Sequence, residues 1–183
     1  TVFIYDGMEH CPTATITVNG NVLNPMSDYK IVCDNNVKVG SDVAHIAVKS
    51  QDGGNFLFTD YEVNFSILPV VISITDSTIF EKTFDGGNAA TVKVNAVSFK
   101  APGDSIEVTT AAKFNNASAG TNKKVSITYG LAGPDKDNYV LAYNTAVYNK
   151  GVINKREAIL VWNTPDTFVY DGLKHGVSAT VEM

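Results

Sequence analysis

Phe3-Ile4-Tyr5-Asp6-Gly7 stands near the start of this chain. The phrase returns as Lys82-Thr83-Phe84-Asp85-Gly86 and again as Phe168-Val169-Tyr170-Asp171-Gly172. Its aspartates lie 85 − 6 = 79 and 171 − 85 = 86 residues apart. A period of about 80 residues is too long for a solenoid repeat and suits tandem β-sandwich modules. The phrase has a plain physical reading. Asp bonds back to the turn backbone, Gly supplies a positive φ, and the aromatic anchors the turn on a core. Tyr5, Asp6, Gly7, Phe84, Asp85, Gly86, Tyr170, Asp171 and Gly172 are therefore read as one structural turn motif in three copies. The competing reading is a carbohydrate platform built on Tyr5, Trp162 and Tyr170. An exposed Trp162 with neighbouring tyrosines favours that reading, and a buried one disfavours it.

Outward from the phrase, the pattern is strand after strand. Apolar and polar residues alternate in Ala14-Thr15-Ile16-Thr17-Val18, Val70-Val71-Ile72-Ser73-Ile74 and Thr91-Val92-Lys93-Val94. They alternate again in Ser105-Ile106-Glu107-Val108, Val125-Ser126-Ile127-Thr128-Tyr129 and Ala158-Ile159-Leu160-Val161-Trp162. A period of 2 puts one face in a core and one in water. Turn formers separate the runs, as in Asn19-Gly20-Asn21, Pro102-Gly103-Asp104 and Gly133-Pro134-Asp135. No segment keeps a helical period with caps. The expectation is an all-β chain of antiparallel sheets.

Aligning the copies sets the boundaries. Residues 3–10 sit over 168–175, and Ala14-Thr15-Ile16 falls over Ala179-Thr180-Val181. The expected organisation is a first module at 1–70, a second at 71–153, and the N-terminal part of a third at 154–183. The third piece runs a strand, Ala158 to Trp162, before its phrase. The first piece has no counterpart, so its sandwich is expected to carry an open edge or a gap. An unpaired strand invites pairing. The tail of one molecule is therefore expected to complete the first module of the next, head to tail. The links Leu68-Pro69-Val70-Val71-Ile72 and 149–156 read as strands rather than flexible linkers, which predicts a stiff rod.

Composition narrows the function. The net charge of −5 argues against nucleic acid or an anionic membrane surface as partner. The 14 Lys and Arg are scattered rather than clustered. No apolar run approaches the ~18 residues of a membrane span. The chain reads as an excised piece of a longer secreted protein. Cys11 and Cys33 are a candidate disulfide closing a loop of 33 − 11 = 22 residues. Such a loop is worth about 3 kcal/mol in the chain-entropy model. The alternative is two small buried apolar residues that never meet.

Catalytic and metal signatures are weak. His10, His45 and His175 show no ligand spacing, and His10 and His175 recur three residues past the phrase, which suggests a turn role. Asp135-Lys136-Asp137-Asn138 resembles the start of a calcium loop, but position 12 counted from Asp135 is Ala146. It reads as an acidic turn bonding its own backbone, with inter-domain calcium assisted by Asp76 or Asp104 as the alternative. No nucleophile elbow or P-loop is present. The chain is read as non-enzymatic, with no cofactor. A Lys–Asn isopeptide crosslink remains open, with no residues singled out.

The Tyr-Asp-Gly phrase, the run Ala132-Gly133-Pro134-Asp135-Lys136-Asp137-Asn138-Tyr139-Val140-Leu141-Ala142 and the link Ile153-Asn154-Lys155-Arg156-Glu157-Ala158 resemble the MBG and YDG repeats. Those are immunoglobulin-like modules of large bacterial surface proteins, including adhesins and haemagglutinin-like proteins. The module at 71–153 resembles the YDG type over nearly its whole length. The pieces at 1–70 and 154–183 look more like the MBG type. Phe84 departs from the pattern, since the family phrase has Tyr there. The resemblance implies tandem immunoglobulin-like β-sandwich modules and an extracellular place at a bacterial cell surface. It implies a stiff stalk or adhesive array, with a carbohydrate-binding module as the alternative. The implied partners are neighbouring modules and a host or matrix glycan or protein. The family brings no catalytic residues.

Overall fold

The structure is a computed structural model and describes residues 1–163 and 167–182. Residues 164–166 and 183 of the expected third piece lie outside the described residues. The chain is nearly all β, as its alternating Val, Ile, Thr and Tyr runs require. In chain order the first strands are β1 (Val2–Ile4), β2 (Thr17–Val18), β3 (Asn21–Val22), β4 (Tyr29–Asp34), β5 (Gly40–Ser50) and β6 (Tyr61–Leu68). Next come β7 (Val70–Ile72), β8 (Ile74–Ile79), β9 (Lys82–Thr83), β10 (Ala89–Ala90), β11 (Val92–Val97), β12 (Glu107–Phe114) and β13 (Gly120–Ala132). A 3-10 turn, Lys136–Asn138, precedes β14 (Tyr139–Leu141), followed by β15 (Thr145–Asn154), β16 (Ile159–Asn163) and β17 (Ser178–Glu182).

The larger sheets are β1-β6-β5-β4 and β10-β12-β13-β15-β9, with two-stranded pairs β11-β8, β14-β7, β16-β17 and β2-β3. The antiparallel hairpins are local pairings, as the turn signals lead one to expect. Parallel pairings occur as well, among them β1 with β6, β14 with β7, and β9 with β15. Neighbours of the same sense are set by the distant return of the chain, which alternation cannot signal.

The residues fall into two compact units of interleaved segments. One comprises Thr1–Thr78, Val94–Thr110 and Thr128–Asn144. Its core gathers Tyr5, Ala44, Ile46, Phe65, Ile67, Ile72, Ala101 and Tyr139. A second cluster holds Leu23, Tyr29 and Val48. Cys11 and Cys33 are joined in a disulfide. The expected strand at 14–18 shrinks to Thr17–Val18, which pairs only with β3. A strand exists by pairing, and 11–16 lacks a strand neighbour among the described residues. The segment is held instead by the disulfide at Cys11, by Tyr29 Oη donating to the Ala14 carbonyl (2.7 Å), and by Leu23 N–H donating to Ile16 (2.8 Å). Beside it lies a cavity of about 200 Å³ walled by Pro12, Thr13, Ala14, Ile46, Val48 and Phe65.

The other unit comprises Ile79–Lys93, Ala111–Ile127 and Thr145–Met183. Phe114, Val125, Ile127 and Ile153 are buried. Gly151 leaves no room for a side chain, since an added Cβ would stand 2.6 Å from both Phe114 and Val125. Lys123 is buried and donates to Asn116 Oδ1 at 2.7 Å. From 154 to 182 every described residue is exposed, β16 and β17 included.

Candidate functional site

The three Tyr-Asp-Gly turns have one local geometry. Gly7, Gly86 and Gly172 lie at φ +83°, +82° and +77°. Asp6, Asp85 and Asp171 each accept the N–H two residues on (Met8, Gly87 and Leu173), every time at 2.8 Å. This is an Asx turn closed by glycine, and short-range chemistry alone specifies it. In the first and third copies a histidine completes it. His10 Nε2 stands 3.1 Å from Asp6 and its ring stacks on Phe3 at 4.7 Å. His175 Nε2 stands 3.0 Å from Asp171 and stacks on Phe168 at 4.9 Å. The second copy has Lys82 on Asp85 instead, at 2.6 Å, and the ammonium draws the Asp85 carboxyl below its usual range.

The backbone before each of the first two phrases pairs in the same way. Tyr5 N–H donates to Leu68 at the end of β6, and Phe84 N–H donates to Asn154 at the end of β15, both at 2.8 Å. What differs is what the aromatic ring meets. Tyr5 is 2% exposed and Phe84 is 38% exposed.

Around Tyr5 lies a polar cluster of the first unit. Asp104, in the Pro102-Gly103-Asp104 turn, accepts the Tyr5 hydroxyl at 2.7 Å and the Tyr139 hydroxyl at 2.6 Å on the same Oδ2. The two rings meet edge to face at 5.6 Å. Tyr139 Oη also accepts the Ala101 N–H at 2.8 Å. Gly7 seats against Ala101, where an added Cβ would lie 2.7 Å from the alanine methyl. At the flank, Lys38 Nζ pairs with Asp135 Oδ1, whose other oxygen accepts Ser105 N–H at 2.8 Å. Val39 N–H donates to buried Asn138 Oδ1 at 3.2 Å. The acidic turn thus bonds the Ser105 loop and the 38–39 segment before β5 as well as its own backbone, which corrects the purely local reading of Asp135.

Charge and burial act together on the two phenols. Burial disfavours phenolate, and donation to the neighbouring Asp104 carboxylate disfavours it further. Both effects push the Tyr5 hydroxyl well above its ordinary value and hold Tyr139 up at about 12. The Asp135 carboxyl is held low by the Lys38 ammonium and the Ser105 N–H.

The remaining candidates are placed as follows. Trp162 is 63% exposed and Tyr170 is 93% exposed. Because the whole stretch 154–182 is exposed, their exposure does not set them apart as a platform. His45 Nδ1 lies 2.6 Å from Asn64 Oδ1 on neighbouring strands. Asp76 accepts from Asn95 at 2.9 Å. Among the described residues no three His, Cys, Asp or Glu are grouped to hold a metal ion, and no helix is long and apolar enough to cross a membrane. Sequence reasoning missed the Tyr5–Asp104–Tyr139 cluster, whose members are 99 and 35 residues apart. No curated protein and no solved structure matches the chain. Residues 69–146, which carry the Asp104 turn and Tyr139, match the YDG domain family model, and the chain therefore carries a YDG domain.

Proposed function

We propose that this chain is a non-catalytic structural repeat of a large bacterial cell-surface protein. In this reading it consists of tandem immunoglobulin-like β-sandwich modules and serves as a stiff stalk or adhesion array. The observation that carries the reading is one turn geometry repeated three times at intervals near 80 residues. The join after the first copy supports it. Only Pro69 separates β6 from β7, and β7 goes directly into pairing with β14. A connection of this kind lacks the freedom of a Gly/Ser linker. The Cys11–Cys33 bond supports an oxidising, extracellular location.

The partners in this reading are neighbouring modules of the same protein and a host or matrix glycan or protein. Head-to-tail self-association adds the strand at 158–162 of a second copy beside Pro12–Ala14. The cavity there supports this partner proposal. Light scattering over a concentration series is expected to show growth for the whole chain and none for a chain ending at Lys155. Equal behaviour of the two removes self-association from the reading.

The function itself is tested by stretching single molecules from end to end. A load-bearing array gives discrete unfolding steps of tens of nanometres, set by about 3.5 Å per released residue. A smooth entropic stretch without steps overturns the stalk. Saturable retention on a glycan array, lost in Trp162→Ala, establishes the carbohydrate-binding alternative instead.

A further inference from the structure

The turn and its surroundings separate into two parts. The turn is a locally determined object, because Asp171 and Gly172 keep the geometry of Asp6 and Gly7 although Tyr170 is 93% exposed. The aromatic ring is therefore presented before anything covers it. The surroundings of Tyr5 come from a different stretch of chain, within the YDG domain. They are the Ala101 methyl, the Asp104 carboxylate, and the Tyr139 ring and hydroxyl.

We propose that the Tyr-Asp-Gly turn is a plug between modules, that the Ala101–Asp104 turn with Tyr139 is its socket, and that the residue at the tyrosine position decides whether a module locks onto the one that follows. This proposal rests on the stalk reading and names the contact that makes a junction stiff.

The socket recognises a phenol for stated reasons. Asp104 Oδ2 takes two hydroxyl donors, and a charged acceptor strengthens both bonds. Removing one donor leaves a partly buried carboxylate oxygen with a lost partner, which costs more than an exposed bond does. A phenylalanine fills the same volume and offers no proton. Phe84 is such a ring: its turn is built like that of Tyr5, yet it carries nothing to donate to a carboxylate. Gly7 adds a steric condition, since only a residue without Cβ lets the turn approach Ala101 so closely. The Lys38–Asp135 pair and the Val39–Asn138 bond flank the plug and set its orientation. In a string of such modules, tyrosine phrases mark locked junctions and phenylalanine phrases mark junctions without the carboxylate bond. Tyr170 is by this rule a plug for a further socket of the same chemistry.

The experiment is amide hydrogen exchange on the full chain. Two reporters sit at the junction: Val39 N–H, bonded to Asn138, and Ala101 N–H, bonded to Tyr139. Controls are the Phe114 and Asn115 amides, bonded to the Asn88 and Lys124 carbonyls in the other unit. Tyr5→Phe is expected to speed exchange of both reporters at least about tenfold with the controls unchanged. Asp104→Asn alters the socket from the other side and is expected to reproduce the effect, which covers the case that Tyr5→Phe unfolds the first segment. Tyr29→Phe removes a hydroxyl outside the junction and is expected to leave both reporters as they were. Unchanged reporters in both Tyr5→Phe and Asp104→Asn overturn the proposal. Failure of the stalk reading shows separately, as a stretch without unfolding steps while the reporters still respond.

Discussion

The first and second copies of the module share a plan and close it with different chemistry. In the second, Ala90 and Ala112 are opposed residues of the β10–β12 pair. In the first, the positions 79 residues earlier are 90 − 79 = 11 and 112 − 79 = 33, which are Cys11 and Cys33. The second copy joins this place through strand pairing. The first, whose segment 11–16 is not a strand, joins it through a covalent bond. The same shift carries Gly86 onto Gly7 and Phe84 onto Tyr5, with the turn conserved and the environment changed from open to buried. A repeat thus fixes what short-range chemistry can build, while its neighbours decide what that local piece is used for.

The largest expected effect breaks this correspondence at the disulfide. Cys11→Ala with Cys33→Ala is expected to cost the first copy about 2–5 kcal/mol. Urea melts followed at β4 and at β12 would show the loss in β4 alone; equal loss at both removes the claim that the bond substitutes for local pairing. The converse change sharpens the point. Ala90→Cys with Ala112→Cys is expected to oxidise spontaneously and raise stability by about 1–3 kcal/mol, since it closes a loop of 112 − 90 = 22 residues. Free thiols that persist after air oxidation contradict the structural equivalence.

The two glycines give the next contrast. Both have positive φ, so alanine strains either one by about 1 kcal/mol. Only at Gly7 does the added methyl also meet Ala101, at 2.7 Å. Gly7→Ala is therefore expected to lose about 1–3 kcal/mol more than Gly86→Ala. Matched thermal melts measure the difference, and equal shifts would mean that the turn at Gly7 is not seated on Ala101.

The smallest effect appears only in alkali. The folded state keeps the Tyr5 and Tyr139 protons that an unfolded chain releases near pH 10. Their contribution is complete below pH 10 and is lost as pH rises through about 12. Ultraviolet titration of phenolate, compared between the wild-type chain and Tyr5→Phe, should remove one late-ionising tyrosine. Loss of an early one instead contradicts the burial of that hydroxyl against Asp104.

Much of the fold was legible residue by residue. Val125–Tyr129 and Val92–Val94 alternate as strands because each residue's face follows from its neighbours. The Asp-Gly turns were legible because their bonds span two residues. The strand expected at 14–16 failed for the opposite reason: alternation makes a segment fit for pairing but supplies no partner. The parallel joins of β1 to β6 and of β9 to β15 were hidden in the same way, since nothing near Val2 announces Ser66.

The sequence by itself determined an all-β chain, the place of each Tyr-Asp-Gly turn and its repetition, because periodicity and turn chemistry act over a few bonds. Tertiary structure alone decided that Tyr5 is buried on Asp104 and Tyr139, that Cys11 meets Cys33, and that Asp135 reaches Lys38. Those contacts join residues from 33 − 11 = 22 to 139 − 5 = 134 positions apart. Their energy depends on desolvation and on how the whole chain returns upon itself, and no local pattern encodes either.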